Sequence, residues 1–197
     1  MNIILAYRNR LMDMLARATV AAYKPGIIAA AGTVGKTTTI EALYTMLRDI
    51  RQVRAPGRSF PHKNAMPLTI LGPWTQGSGF SFWTRVFMQG IGNILRTHEY
   101  PELLILEYIR TKQRSLHQLL DIARPQITII TTMEDADEAA LRDAAKLIHA
   151  LPSNGYAVIN YDHPETLELK ENTRAHTITF GCNEGADMRI MNLEYRA

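Results

Sequence analysis

Between Gly26 and Leu47 the chain reads GIIAAAGTVGKTTTIEALYTML, and the residues at its centre have the chemistry of a phosphate site. Gly32 and Gly35 permit backbone angles and a close approach that let main-chain N–H groups ring an anion. Lys36 offers a point charge to the β and γ phosphates of a nucleotide, and the Thr37 hydroxyl is a hard oxygen ligand for Mg²⁺. The strict Walker pattern asks for glycine where Ala30 stands, so the motif fails at its first position and is intact from Gly35 onward. Its setting separates it from a chance Gly-Lys-Thr in a turn: an apolar run precedes it, and Ile40, Leu43, Tyr44 and Leu47 follow at helical spacing. Strand, tight loop and helix in that order aim the positive end of a helix dipole at the bound phosphate.

Two acidic features could complete a metal site. Glu107 closes the apolar run LLILE and, at a strand's carboxyl edge, lies on the rim where the phosphate loop also opens. There it can reach a phosphate-bound Mg²⁺; a solvated strand-end carboxylate is the plainer alternative. The cluster EDADE, residues 134–138, follows another apolar run. By itself such a cluster is more often charge complementing a helix N-terminus than a metal site.

The elements that must position these groups alternate. A helix over 3–22 ends at Lys24-Pro25-Gly26, and a strand, the loop and a helix over 36–49 follow. Pro56-Gly57 marks a turn, MPLTIL begins another element, and a helix is predicted at about 81–96. Then come strand ELLILEY, helix SLHQLLDIA, strand QITIITT, helix DEAALRDAAKLIHAL, strand YAVIN and strand AHTITFG. Apolar runs without polar alternation suit strands buried on both faces, so the pattern predicts an α/β, doubly wound, mostly parallel sheet with its ligand site at the strands' carboxyl ends.

At 197 residues, 46% apolar and 21% charged, the chain is long enough for one full core and unlike a disordered segment. A formal charge of +3 spread along the sequence singles out no nucleic-acid partner. One cysteine, Cys182, cannot form an internal disulfide, which fits a reducing compartment and makes the cytoplasm the expected location. The start of the chain lacks a secretory pattern, and no apolar run approaches a membrane span. Residues 80–96 come closest, interrupted by Arg85, Gln89 and Asn93; packing within the protein is the first reading of that helix, contact with a membrane or partner the second.

Several segments, taken in order, resemble the Mur ligases, ATP-dependent enzymes that add amino acids to the peptidoglycan precursor. AGTVGKTTT is similar to their Gly-Thr-x-Gly-Lys-Thr loop, which departs from the strict Walker form just where Ala30 does. NAMPLTIL resembles their Asn-containing segment leading into Pro-Leu-Thr-Leu, and ELLILEY their Mg²⁺-binding strand. ALPSNGYAVINYDHPET and ITFGCNEGADMR resemble two later family segments. The resemblance runs from about residue 24 to 194 and leans toward the members that join D-alanyl-D-alanine to a UDP-muramoyl tripeptide.

The resemblance implies a domain organisation: a linker helix over 1–24, then an ATP-binding central domain over 25–197, without the family's flanking domains for the nucleotide-sugar substrate and the incoming amino acid. It implies that Gly32, Thr33, Val34, Gly35, Lys36, Thr37 and Thr38 bind the ATP phosphates, that Asn64 lies near the adenine, and that Thr37 and Glu107 hold Mg²⁺. The implied reaction is phosphoryl transfer to a carboxylate, giving an acyl phosphate that an amine attacks. Lys146 in AAKLI corresponds to the lysine that the family carbamylates to bridge a second metal, with a surface lysine on an amphipathic helix as the alternative. Where the family carries Asn-Asn and then a metal-binding His, this chain has Thr131-Thr132 and then Asp137, an alternative Mg²⁺ ligand; after Glu107 the expected Met-Gly gives way to Tyr108-Ile109-Arg110.

Two other readings compete. One keeps the fold and drops the reaction, leaving a nucleotide-binding module that regulates or scaffolds a partner. The other is a partitioning ATPase of the ParA or MinD type, whose loop also ends in VGKTTT but carries Lys at the position of Ala31 and an Asp-rich downstream strand.

Overall fold

The computed structural model describes residues 3–57, 64–74, 77–96, 98–111 and 114–191. Seven strands form one sheet in the order β2-β3-β1-β4-β5-β6-β7, and all neighbouring pairs are parallel. The strands are β1 (Gly26–Ala31), β2 (Val53–Arg54), β3 (Leu103–Glu107), β4 (Ile127–Ile130), β5 (Tyr156–Asn160), β6 (His176–Gly181) and β7 (Met188–Arg189). β1 and β3 are buried on both faces through most of their length, as their unbroken apolar runs require.

Two layers cover the sheet. Helix α2 (Lys36–Leu47) packs on one face through Ile40, against Ile28, Ala30 and Ile105. The other face carries the larger core, to which α1 (Ile3–Tyr23), α3 (Ala65–Leu71), α4 (Phe80–Ile94), α5 (Leu116–Ile122) and α6 (Glu138–His149) contribute. The chain thus winds on both sides of the sheet, as expected.

The helix read from the sequence as a linker is α1, whose Met12, Leu15, Ala16 and Thr19 are buried in the main core, where it packs on α3, α4 and α5. Gly90 of α4 allows this closeness, because a Cβ there would lie 3.0 Å from Leu71 Cδ2 and 3.2 Å from Leu15 Cδ1. Asn93 of α4, also buried, donates from Nδ2 to the Leu71 carbonyl at 3.0 Å and accepts from Gln89 Nε2 at 3.1 Å. The polar residues that interrupt this helix in sequence therefore include one that ties it to α3. Among the described residues no helix is long and apolar enough to cross a membrane.

Four short elements were not anticipated: the edge strands β2 and β7, helix α7 (Pro164–Leu167) and the 3-10 turn over Glu168–Asn172. The stretch leading from Pro56 to α3 falls partly on residues 58–63, outside the described residues.

Candidate nucleotide site

β1 ends at Ala31, and the chain turns through Gly32 at φ +141° and Gly35 at φ +87° before α2 begins at Lys36. Both angles belong to the region that favours glycine. Gly35 is the N-cap of α2 and supplies no side-chain cap, so the amides of the first turn keep the unmet hydrogen-bonding capacity of a helix start. Thr37 and Thr38 are exposed in that turn. Lys36 lies back across the loop, its Nζ donating to the Gly32 carbonyl at 2.7 Å and to the Thr33 carbonyl at 3.3 Å. A glycine-rich turn, an uncapped twelve-residue helix and a lysine folded over both fit a polyphosphate.

Strand register aligns the rest. Ala30 pairs with Glu107 and Ala31 with Ile130, so β3, β1 and β4 end together and their following segments meet above the sheet. Glu107, half-buried, therefore lies on the rim from which the phosphate loop springs. The chain leaves β1 through α2 on one face and β4 through α6 on the other, which makes the gap between these two strands the switch point where open α/β sheets bind ligands. A cavity of about 220 Å³ lies there, lined by Gly32, Lys36, Tyr108, Arg110, Met133 and Asp143 among others.

The loop is held from the segment that follows β4. Thr131 Oγ1 donates to the Val34 carbonyl at 2.6 Å and lies 3.2 Å from that of Ala31, while the Thr33 hydroxyl reaches the carbonyls of Thr132 at 3.0 Å and Glu134 at 2.9 Å. The Thr132 carbonyl also accepts the amides of Thr33 at 2.8 Å and Val34 at 3.4 Å. The amides of Thr33 and Val34 are thus engaged in this structure by the segment after β4, whereas the first-turn amides of α2 have no such partner from a side-chain cap. A threonine pair that the sequence marked only as a departure is the clasp that shapes the loop.

Three further residues that the sequence singled out lie away from the loop. Asp137 is the N-cap of α6, its exposed carboxylate accepting the Ala140 amide at 2.7 Å. Lys146 is exposed in the last turn of α6, about 12 Å along the axis from the helix start at 1.5 Å per residue. It borders a separate groove of about 1090 Å³ between α5 and α6 and does not line the cavity that holds Lys36. Asn64 accepts from Arg114 Nη1 at 2.9 Å. Arg114, 3% exposed, also meets both Asp13 carboxylate oxygens through Nε at 3.0 Å, so Asn64 belongs to a knot joining α1, α3 and the entry to α5. Among the described residues no group of three His, Cys, Asp or Glu side chains is arranged to hold a metal.

Sequence reasoning also passed over Arg110 and Asp143, whose Nε and Oδ2 are 2.9 Å apart at the cavity wall. The signal was present in the triplet that follows Glu107, but its partner lies on another element. Tyr108 beside it is buried, which pushes its phenol well above the usual range, and its hydroxyl donates to the Ala123 carbonyl at 2.7 Å. Farther along the rim, the Asp162 carboxylate accepts the amides of Cys182 and Asn183, and these bonds hold it below the usual aspartate range. Asp187 is lowered in the same way by the amide and hydroxyl of Thr179.

Fold and cradle define a phosphate-loop α/β domain. A family model described as the Mur ligase middle domain matches residues 88–197, more than half of the chain, and the chain belongs to that family. The UDP-N-acetylmuramoyl-tripeptide–D-alanyl-D-alanine ligases of Mycobacterium tuberculosis and Mycobacterium bovis are each 26% identical over 170 residues, covering 82% of this chain and 28% of the relative. This chain therefore spans 28% of the length of those curated relatives. Among solved structures, the MurF ligase of Thermotoga maritima in complex with ADP superposes with a TM-score of 0.71 at 22% identity, covering 94% of this chain and 39% of that one. MurF of Acinetobacter baumannii gives a TM-score of 0.61 at 17% identity over 91% of this chain and 35% of its own. Both likenesses bear on the fold.

Proposed function

We propose that this chain is the ATP-binding core of an amide-forming ligase in peptidoglycan precursor synthesis. The observation that carries the proposal is the register of β1 with β3, which sets Glu107 beside the loop of Gly32 to Thr37 on one rim of the sheet. The family membership and the mycobacterial D-alanyl-D-alanine ligases among its relatives support the reaction class.

In this reading the amides of Gly35 to Thr38 and the Lys36 ammonium bind the ATP phosphates. Thr37 and Glu107 would hold a Mg²⁺ ion, which offsets negative charge on the phosphates. A carboxylate oxygen of the UDP-muramoyl tripeptide attacks the γ phosphorus, and the bond to the ADP oxygen breaks. The amine of D-alanyl-D-alanine then attacks the acyl phosphate carbon, phosphate leaves, the nitrogen loses a proton, and the amide is formed. The domain contributes positioning and charge neutralisation.

A second reading, a nucleotide-binding module without the reaction, is favoured by Asp137 acting as a cap and by Lys146 lying in another groove. Phosphate release separates the two. Purified protein given ATP, Mg²⁺, UDP-muramoyl tripeptide and D-alanyl-D-alanine releases phosphate only when both substrates are present if the ligase reading holds. Substrate-dependent release rules out the module.

A further inference from the structure

We propose that Arg110 is the residue that reads the terminal phosphate of the bound nucleotide and so separates a triphosphate from a diphosphate. The inference rests on the nucleotide-binding reading above and assigns it a residue that neither the motif nor the family resemblance supplies.

Arg110 stands three residues past Glu107, where the chain leaves the carboxyl end of β3. Its side chain, half exposed, lines the same cavity of about 220 Å³ as Gly32 and Lys36. α2 contributes only Lys36 to that wall; the rest comes from the end of β1 and the loop after it, the segment after β3, Leu116, Met133 and α6. Phosphates held by the α2 amides and Lys36 therefore lead toward the cavity, and the next phosphate in the chain enters it. Much of the lining is apolar, including Ala31, Ile109, Leu116, Met133 and Leu147, which strengthens any charge interaction inside.

Among the described residues the guanidinium is held by one partner. Its Nε meets Asp143 Oδ2 at 2.9 Å, and Asp143 is itself 22% exposed on α6. Contact through Nε leaves the forked Nη end for a second acceptor, and a phosphoryl group offers the geometry that such a fork matches. Arg110 and Asp143 also border the α5–α6 groove, so the pair forms the partition between the two cavities.

Titration calorimetry with Mg²⁺ and two probes, ADP and the non-hydrolysable ATP analogue adenylyl imidodiphosphate, tests this. Arg110→Ala should weaken the analogue by about tenfold, the scale of one charge-assisted hydrogen bond, and leave ADP unchanged. Asp143→Ala breaks the same ion pair while keeping the guanidinium, and should bind the analogue at least as tightly as the unaltered chain. The assignment is overturned if Arg110→Ala leaves the analogue unchanged. It is equally overturned if both variants weaken both nucleotides alike, as a merely structural ion pair would. An unaltered chain that binds neither probe overturns the nucleotide reading itself, and Arg110 with it.

Discussion

Gly32→Ala exposes how the phosphate loop is held. At φ +141° an alanine suffers the backbone strain of a sparsely populated region, about 1–3 kcal/mol. Its Cβ would also overlap Thr131 Oγ1 and lie 2.9 Å from the Thr132 carbonyl oxygen. Thr131 must then rotate away from the Val34 carbonyl that it meets at 2.6 Å, which costs about another 1 kcal/mol. The total is about 2–4 kcal/mol. Thr33 to Gly35 are exposed and outside the core, so the loop can relieve the strain by leaving its observed shape without unfolding the sheet. Most of the cost should therefore appear as lost Mg-ATP affinity, between about thirtyfold and about a thousandfold, with a smaller loss in urea denaturation. A double-mutant cycle localises the cause: in a Thr131→Ala background the side-chain overlap is gone, and Gly32→Ala should cost about 1 kcal/mol less. Unchanged affinity and unchanged stability in Gly32→Ala would refute the reasoning, as would strict additivity with Thr131→Ala.

Arg114→Met should destabilise the fold by about 2–4 kcal/mol in chemical denaturation, because it leaves Asp13 and Asn64 without their buried partner; the range is reduced for the partial exposure of Asp13. A loss under about 0.5 kcal/mol, the size of an ordinary surface change, would remove the knot from the account. Asp137→Ala should cost about 1 kcal/mol of stability through the lost cap and leave the Mg²⁺ dependence of nucleotide binding unaltered; a shifted Mg²⁺ dependence would restore Asp137 as a ligand. Asp162 and Asp187 are lowered in the folded state, so their stabilisation is present above the unfolded aspartate value of about 4 and is lost as pH falls through the folded-state value. The melting temperature should drop on that acid limb, and Asp162→Asn should flatten it. An acid limb as steep as that of the unaltered chain would contradict the role given to those amide contacts.

What the sequence made legible was what local pattern and order along the chain can carry. Largely apolar runs announced β1, β3, β4 and β5, and the glycines before Lys36 announced the loop, because burial and positive φ leave marks in residue type. β2 and β7 escaped notice because two-residue edge strands have no period to detect. The site divided along the same line. Lys36, Thr37 and Glu107 follow from motif and strand end, whereas the Thr131–Val34 clasp and the Arg110–Asp143 pair join residues 97 and 33 positions apart and become visible only with strand order and register. Asp137 and Lys146 were read by correspondence of position; their surroundings, an N-cap contact to the Ala140 amide and a place two turns into α6, could not be read that way. The α1 assignment turned on its buried face, Met12, Leu15, Ala16 and Thr19, which no boundary signal in the sequence distinguishes from a linker.

The central claim is that the turn from Gly32 into α2 holds a nucleotide triphosphate, and calorimetric titration of Mg-ATP into the unaltered chain and into Lys36→Ala tests it most directly. Among the described residues the lysine hydrogen-bonds only to loop carbonyls, at 2.7 and 3.3 Å, so its removal should leave the core intact and any change should belong to the ligand. The expected result is saturable binding by the unaltered chain, weakened by about ten- to a hundredfold in the variant, as for loss of a charge-assisted contact to phosphate. Superimposable isotherms from the two proteins would contradict the claim.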